Sequence, residues 1–249
     1  MAGEYYRWLA RDVKPEEKRE LTPEEKRKNW WHYHKWHVLI GVVVLLLVAN
    51  LGMDVLMDYT TSPDYSVAYV GSSYLPEDTA DQLAEALEQM GEDLNGRGGV
   101  HVAVHQYIIY PAEGADLSAG SMNQTMLYTA QVQLVADLEN CDSFFFLMED
   151  PEQFQADYQV LAYPDGTLPG ETEISAQRLL YQWKDCPVLT ELPLGGFAVE
   201  DFETTYTGNS QDVLSGLYIG RRGFEEGRIP DGYEGCEALW NQLIAGVAP

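Results

Sequence analysis

Positive charge is nearly missing from this chain after residue 37. Nine of its 15 Lys and Arg lie in residues 1–37, so six serve the rest, against 33 of the 40 Asp and Glu. So acidic a surface repels nucleic-acid phosphates and anionic headgroups, and no nucleic-acid partner is expected. Cysteine is scarce too. Cys141, Cys186 and Cys236 are the only three, and none sits in CxxC spacing. That count argues against a disulfide framework, although a single bridge among them stays open. Walker A, GxSxG and HExxH motifs are absent as well, so no catalytic residue, metal ligand or cofactor is assigned.

What is present begins with one long apolar run. Val38–Ala49, VLIGVVVLLLVA, holds twelve residues without a polar side chain, and Val38–Met57 reaches membrane-spanning length. A hydrocarbon core about 30 Å thick needs roughly 20 helical residues. Asn50 and Asp54 fall toward the far end, where the interface is within reach. The aromatic and basic cluster from Trp30 to His37 suits a headgroup region. Lys26, Arg27, Lys28 and Lys35 precede the run, and the next positive residue is Arg97. The expected layout is therefore a cytoplasmic tail (1–37), a single-pass signal anchor in the bilayer (38–57) and an extracellular domain (58–249). A cleaved signal peptide is the competing reading, but its polar leader would be unusually long. In the tail, PEEKR occurs twice, and Thr22-Pro23-Glu24-Glu25 has the form of a capping box that starts a helix running into the anchor.

With 45% hydrophobic residues, the chain after the anchor can build one domain with a sizeable core. Strands are predicted at Asp64–Val70, Val100–Tyr110, Ser143–Met148 and Val213–Ile219. Helices are predicted at Pro76–Leu94, Ser121–Glu139, from Asp150 onward and at Cys236–Ile244, with Arg178–Trp183 a shorter helical candidate. Leu83, Leu87, Met90 and Leu94 mark the apolar face of the first helix. Met122, Met126, Ala130, Leu134 and Leu138 mark that of the second. Strand followed by helix three times in succession implies an α/β class, a mainly parallel sheet between two helical layers.

Two patterns suggest metals and are set aside. Asp93, Asn95 and Gly98 fall at calcium-loop positions 1, 3 and 6, but Arg97 and Val104 occupy positions where oxygen ligands belong. A glycine-rich turn from helix to strand is expected instead. His101 and His105 on one strand would stand about 13 Å apart, too far for one ion.

The order strand, turn, acidic helix, strand, amphipathic helix, "DSFFFLMED", helix resembles the N-terminal lobe of bacterial extracellular solute-binding proteins. Together with "GEDLNG", "GLYIGRRGF" and the basic–aromatic tail, the chain also looks like a group of uncharacterised single-pass proteins of Gram-positive bacteria. The resemblance implies an anchored binding or accessory module for a small polar ligand or an envelope protein partner. Solute-binding proteins are about twice this length, so only one lobe fits and no site residues carry over. The alternative is a cell-envelope hydrolase using carboxylates such as Glu149 and Asp150.

Ligands of open parallel sheets sit beyond the carboxyl ends of the strands. That rule nominates Ser72, Ser73 and Tyr74 after the first strand, Tyr110 after the second, and Glu149 and Asp150 after the third. Arg221 and Arg222 join them if the Val213–Ile219 strand runs parallel to the others. The first helix would also offer free N–H groups there.

Overall fold

The computed structural model describes residues 22–111, 124–170, 175–201, 204–225 and 227–247. They form two compact units that divide at Tyr59 and Thr60. The first residues of the tail, the Ser121 cap and Met122 lie outside the described residues.

The described part of the first unit is helical and belongs to α1 (Pro23–Thr61). The expected capping box is formed: the Thr22 N–H donates to Glu25 Oε2 at 2.9 Å, and the Glu25 N–H donates back to Thr22 Oγ1 at 3.4 Å. Within α1, Pro23–Ala49 is long and apolar enough to cross a membrane, and none of its most apolar window is buried within the protein. A soluble core helix would bury that surface.

The second unit is an α/β domain. Its elements are β1 (Tyr65–Gly71), α2 (Glu77–Glu88), β2 (Val102–Ile108), α3 (Gln124–Asn140), β3 (Phe145–Met148) and α4 (Pro151–Tyr158). Then come β4 (Leu161–Ala162), β5 (Leu180–Gln182), α5 (Pro187–Thr190), β6 (Gly196–Asp201), β7 (Thr204–Asn209), α6 (Ser210–Leu214), β8 (Tyr218–Arg222) and α7 (Tyr233–Leu243). The main sheet has the order β2-β1-β3-β8-β4, and β5 also pairs with β8. β1 pairs parallel with β2 and β3, with Val67 opposite both Val104 and Phe145. β8 runs antiparallel to β3, β4 and β5. Five strands therefore point one way and β8 alone points back, so the sheet is mostly but not wholly parallel.

Both faces of the sheet are covered, as the unbroken apolar run of β3 requires. On one face Val67, Tyr69, Phe145 and Leu147 pack with Leu83 and Leu87 of α2 and with Leu239, Trp240 and Leu243 of α7. On the other, Ala68, Val70, Phe146 and Met148 meet Leu134 and Leu138 of α3 and Phe154 of α4. The alternation of neighbours along β1 and β3 is the period-2 geometry of a strand.

Three expectations are corrected. Val213–Ile219 is not a strand: Ser210–Leu214 is helical, and the strand begins at Tyr218. The Asn209 side chain accepts the Gln211 N–H at 2.8 Å and so caps that helix, a local start that outweighs the β-branched content nearby. Arg178–Trp183 is not helical, because Leu180–Gln182 pairs along β8. The Met126 side chain, predicted inward, is 42% exposed, as are Tyr128, Val132 and Val135 in larger measure.

The helix predicted to reach Leu94 ends at Glu88, so Met90 and Leu94 belong to the loop that follows; that loop contains the expected glycine-rich turn, and carboxylates organise it. Asp64 accepts N–H groups from Leu94, Asn95 and His101 at 2.8–3.0 Å. Asp93 accepts those of Gly96, Arg97 and Gly98, which holds its carboxyl below the usual range. Gly96 and Gly98 have φ of 69° and 93°, conformations that disfavour a side chain. All three cysteines are free thiols.

Candidate functional site

The carboxyl ends of β1 and β3 meet in one knot of hydrogen bonds. Glu149, the first residue past β3, accepts the Tyr69 hydroxyl at 2.7 Å through Oε1 and the Ser72 N–H at 2.9 Å through Oε2. Burial and the Glu149 carboxylate both raise the Tyr69 pKa, so its phenol stays protonated. Gly71 is required between them: a Cβ there would run into the Tyr69 hydroxyl and ring and Glu149 Oε1. Asp150 caps α4 by accepting the Gln153 N–H at 3.1 Å, with Pro151 at the first helical position.

Next to this knot opens a cleft of about 480 Å³. Four carboxylates line it: Glu149, Asp150 and Glu152 from the β3–α4 corner, and Asp185 from the turn after β5. Tyr181, Tyr218, Gln177 and Gln182 complete the polar wall, and among the described residues no Lys or Arg lines it. Glu152 is itself engaged, accepting the Ala176 N–H at 3.0 Å and the Ser175 hydroxyl at 3.3 Å. Three of the four carboxylates thus hold loops in place while presenting negative charge to the cleft.

The nominated residues do not all gather here. Glu149 and Asp150 line the cleft. Ser72 is tied to it through its backbone, and the Ser73 carbonyl lies 2.9 Å from the Tyr69 hydroxyl. Tyr74 is 55% exposed. Tyr110 is joined to the β1 end by its N–H to the Gly71 carbonyl at 3.4 Å, but its hydroxyl donates to Asp157 of α4 at 2.9 Å. Arg221 and Arg222 belong to the opposite end. Because β8 is antiparallel, Arg221 pairs with Phe145 at the start of β3, whereas Tyr218 pairs with Met148 at its finish. The start of α2 carries Glu77 and Asp78, which already complement its N-terminal dipole and oppose an incoming anion.

Glu152, Asp185, Tyr181 and Tyr218 escaped the sequence reading. Glu152 was within sight, two residues after Asp150. Tyr218 reaches the cleft through the pairing of β8 with β3, and Tyr181 and Asp185 through the pairing of β5 with β8, which no local pattern announces. Compared with known proteins, the chain matches no protein-family model, no curated protein and no solved structure. The cleft and its chemistry are therefore the ground for a functional reading.

Proposed function

We propose that the protein is a membrane-anchored binding module. In this reading α1 is a signal anchor with its N-terminus in the cytoplasm. The domain after it is an extracellular lobe of the solute-binding type, which holds a small polar ligand carrying positive charge. One observation carries it: an open cleft at the carboxyl end of a mostly parallel sheet, lined among the described residues by four carboxylates and no basic residue. Such a lining attracts cations and repels anions. The hydrolase reading is weaker because Glu149, Asp150 and Glu152 already accept backbone or hydroxyl hydrogens from the loops they hold. A general acid or base must be free to exchange a proton with substrate.

The ligand test uses the full chain in lipid nanodiscs and calorimetric titration with a short diamine and with the diol of equal length. The diamine binds, the diol does not, and Asp185→Asn weakens the diamine by about tenfold. Equal titration by both compounds would remove the charge argument. Topology is read separately: protease added to intact cells removes residues 58–249 and spares the tail. Digestion of the tail instead would reverse the orientation.

A further inference from the structure

The two arginines that end β8 are both buried, and they are not equivalent. Arg221 is 1% exposed and partnered at both terminal nitrogens, with its Nε alone unpaired: Nη2 donates to the Tyr233 hydroxyl at 2.7 Å, and Nη1 lies 3.3 Å from Glu237 Oε1. Arg222 is 7% exposed and meets no carboxylate among the described residues. Its Nη2 donates to the Leu138 carbonyl at the end of α3, and the guanidinium lies 5.4 Å from the centre of the Phe224 ring. Its Nε and Nη1 have no partner. A buried guanidinium with two idle nitrogens is destabilising unless an anion compensates it.

Arg222 lines a groove of about 720 Å³ formed by the ends of α3 and α4 and the segment after β8. This groove is at the end of β3 remote from the acidic cleft, since the Arg222 N–H donates to the Phe144 carbonyl just before β3. The other charges on its wall are Glu139, Asp157, Glu225 and Arg228. Arg228 faces Glu225 at 3.8 Å, and Asp157 accepts from Gln153 and Tyr110. Among the described residues, that leaves Arg222 as the groove's cation without a counter-charge. The rest of the wall includes Val135, Leu168, Pro169 and Phe224, which suit an apolar body.

We propose that this groove binds a singly charged carboxylate on a short apolar chain, with Arg222 as its anchor. A doubly charged phosphate fits less well, because Glu139, Asp157 and Glu225 share the wall. The two idle nitrogens are shielded from solvent, so a wall side chain must turn aside for the ligand to reach them. Leu168 is an exposed part of that wall, 46% accessible and beside Gly223, the residue after Arg222.

The test is ligand-observed NMR and thermal melting of the full chain in zwitterionic nanodiscs, in chloride-free buffer, with empty discs as the blank. Butyrate and inorganic phosphate are the probes. Butyrate binds and raises Tm, and phosphate at equal concentration does neither. Arg222→Met weakens butyrate by at least about tenfold. Leu168→Trp blocks the mouth by bulk at an exposed position and weakens it similarly, which decides the matter if Arg222→Met does not fold. Unchanged butyrate binding in folded Leu168→Trp overturns the site. So does the absence of butyrate binding to the unmodified chain. Displacement of butyrate by phosphate overturns the assigned ligand class.

Discussion

On one side of the main sheet, β2, β1 and β3 run parallel, and each is followed by a helix that crosses back over a face. On the other side β8 runs against them, and β4 and β5, two and three residues long, share its outer edge. The parallel half is locally programmed. Parallel neighbours need a long crossover, and a helix of the right period supplies it in sequence. The antiparallel half is assembled from distant pieces, with Leu180 opposite Gly220 and Leu161 opposite Arg222. Its strands are too short to show a period, and it buries two guanidinium groups where the parallel half buries aromatic and aliphatic side chains.

The sharpest break in that comparison comes from the core. Phe146 in β3 is fully buried and packs on Phe154, so Phe146→Ala costs about 3–5 kcal/mol. Tyr181→Ala in β5, only half-buried, costs under about 1.5 kcal/mol. Urea denaturation of both variants measures the contrast, and equal losses would mean that the short strands are as deeply anchored as the long ones.

The next effect is polar. Asp137 is buried at the end of α3 and accepts the Tyr107 hydroxyl at 2.7 Å and both the N–H and hydroxyl of Ser143. It thereby ties β2 to the approach to β3. Asp137→Ala leaves those donors without a partner inside the protein and costs about 2–3 kcal/mol. Asp137→Asn, which keeps an acceptor, recovers part of the loss in the same denaturation assay.

Alkaline pH probes the parallel half by titration. Burial first, then a hydrogen-bonded carboxylate, raises the pKa of Tyr69 and of Tyr107, both in the parallel half. Their folded pKa lies above the unfolded value near 10, so the stability they contribute is complete below pH 10 and is lost as pH rises further. Each tyrosine held neutral adds a slope of about 1.4 kcal/mol per pH unit above that point. Tyr107→Phe flattens the decline by one such increment, read from urea midpoints between pH 9 and 11, roughly the span in which tyrosine ionises. An unchanged slope would show that its hydroxyl titrates in the folded state.

The smallest effect concerns the corner between β3 and α4. Asp150→Ala removes the cap of α4 and costs about 1 kcal/mol. It leaves the register of β3 with β8 intact, which hydrogen exchange across Phe145–Met148 can follow.

Much of this architecture was legible before the fold was known. The apolar run, the Thr22 capping box, the three strand–helix repeats and the Asp150-Pro151 helix start are all local signals, written within a few residues of where they act. So were the inward positions Leu239, Trp240 and Leu243 of α7, which are buried. The candidate site was legible by half. Glu149 and Asp150 follow from the rule about strand ends, because that rule needs only strand order along the chain.

Strand direction was decided only in three dimensions. Whether Arg221 and Arg222 join Glu149 depends on which way β8 lies against β3, and a strand's own residues do not encode that. The pairing of Phe145 with Arg221 puts the arginines at the amino end, one to be held by Tyr233 and Glu237, the other to face a separate groove. The same pairing carries Tyr218 to the acidic cleft, alongside Tyr181 and Asp185 from a segment with no readable period. Local chemistry determines which elements form. The hydrogen-bond ladder between residues far apart in sequence determines which side chains share a site.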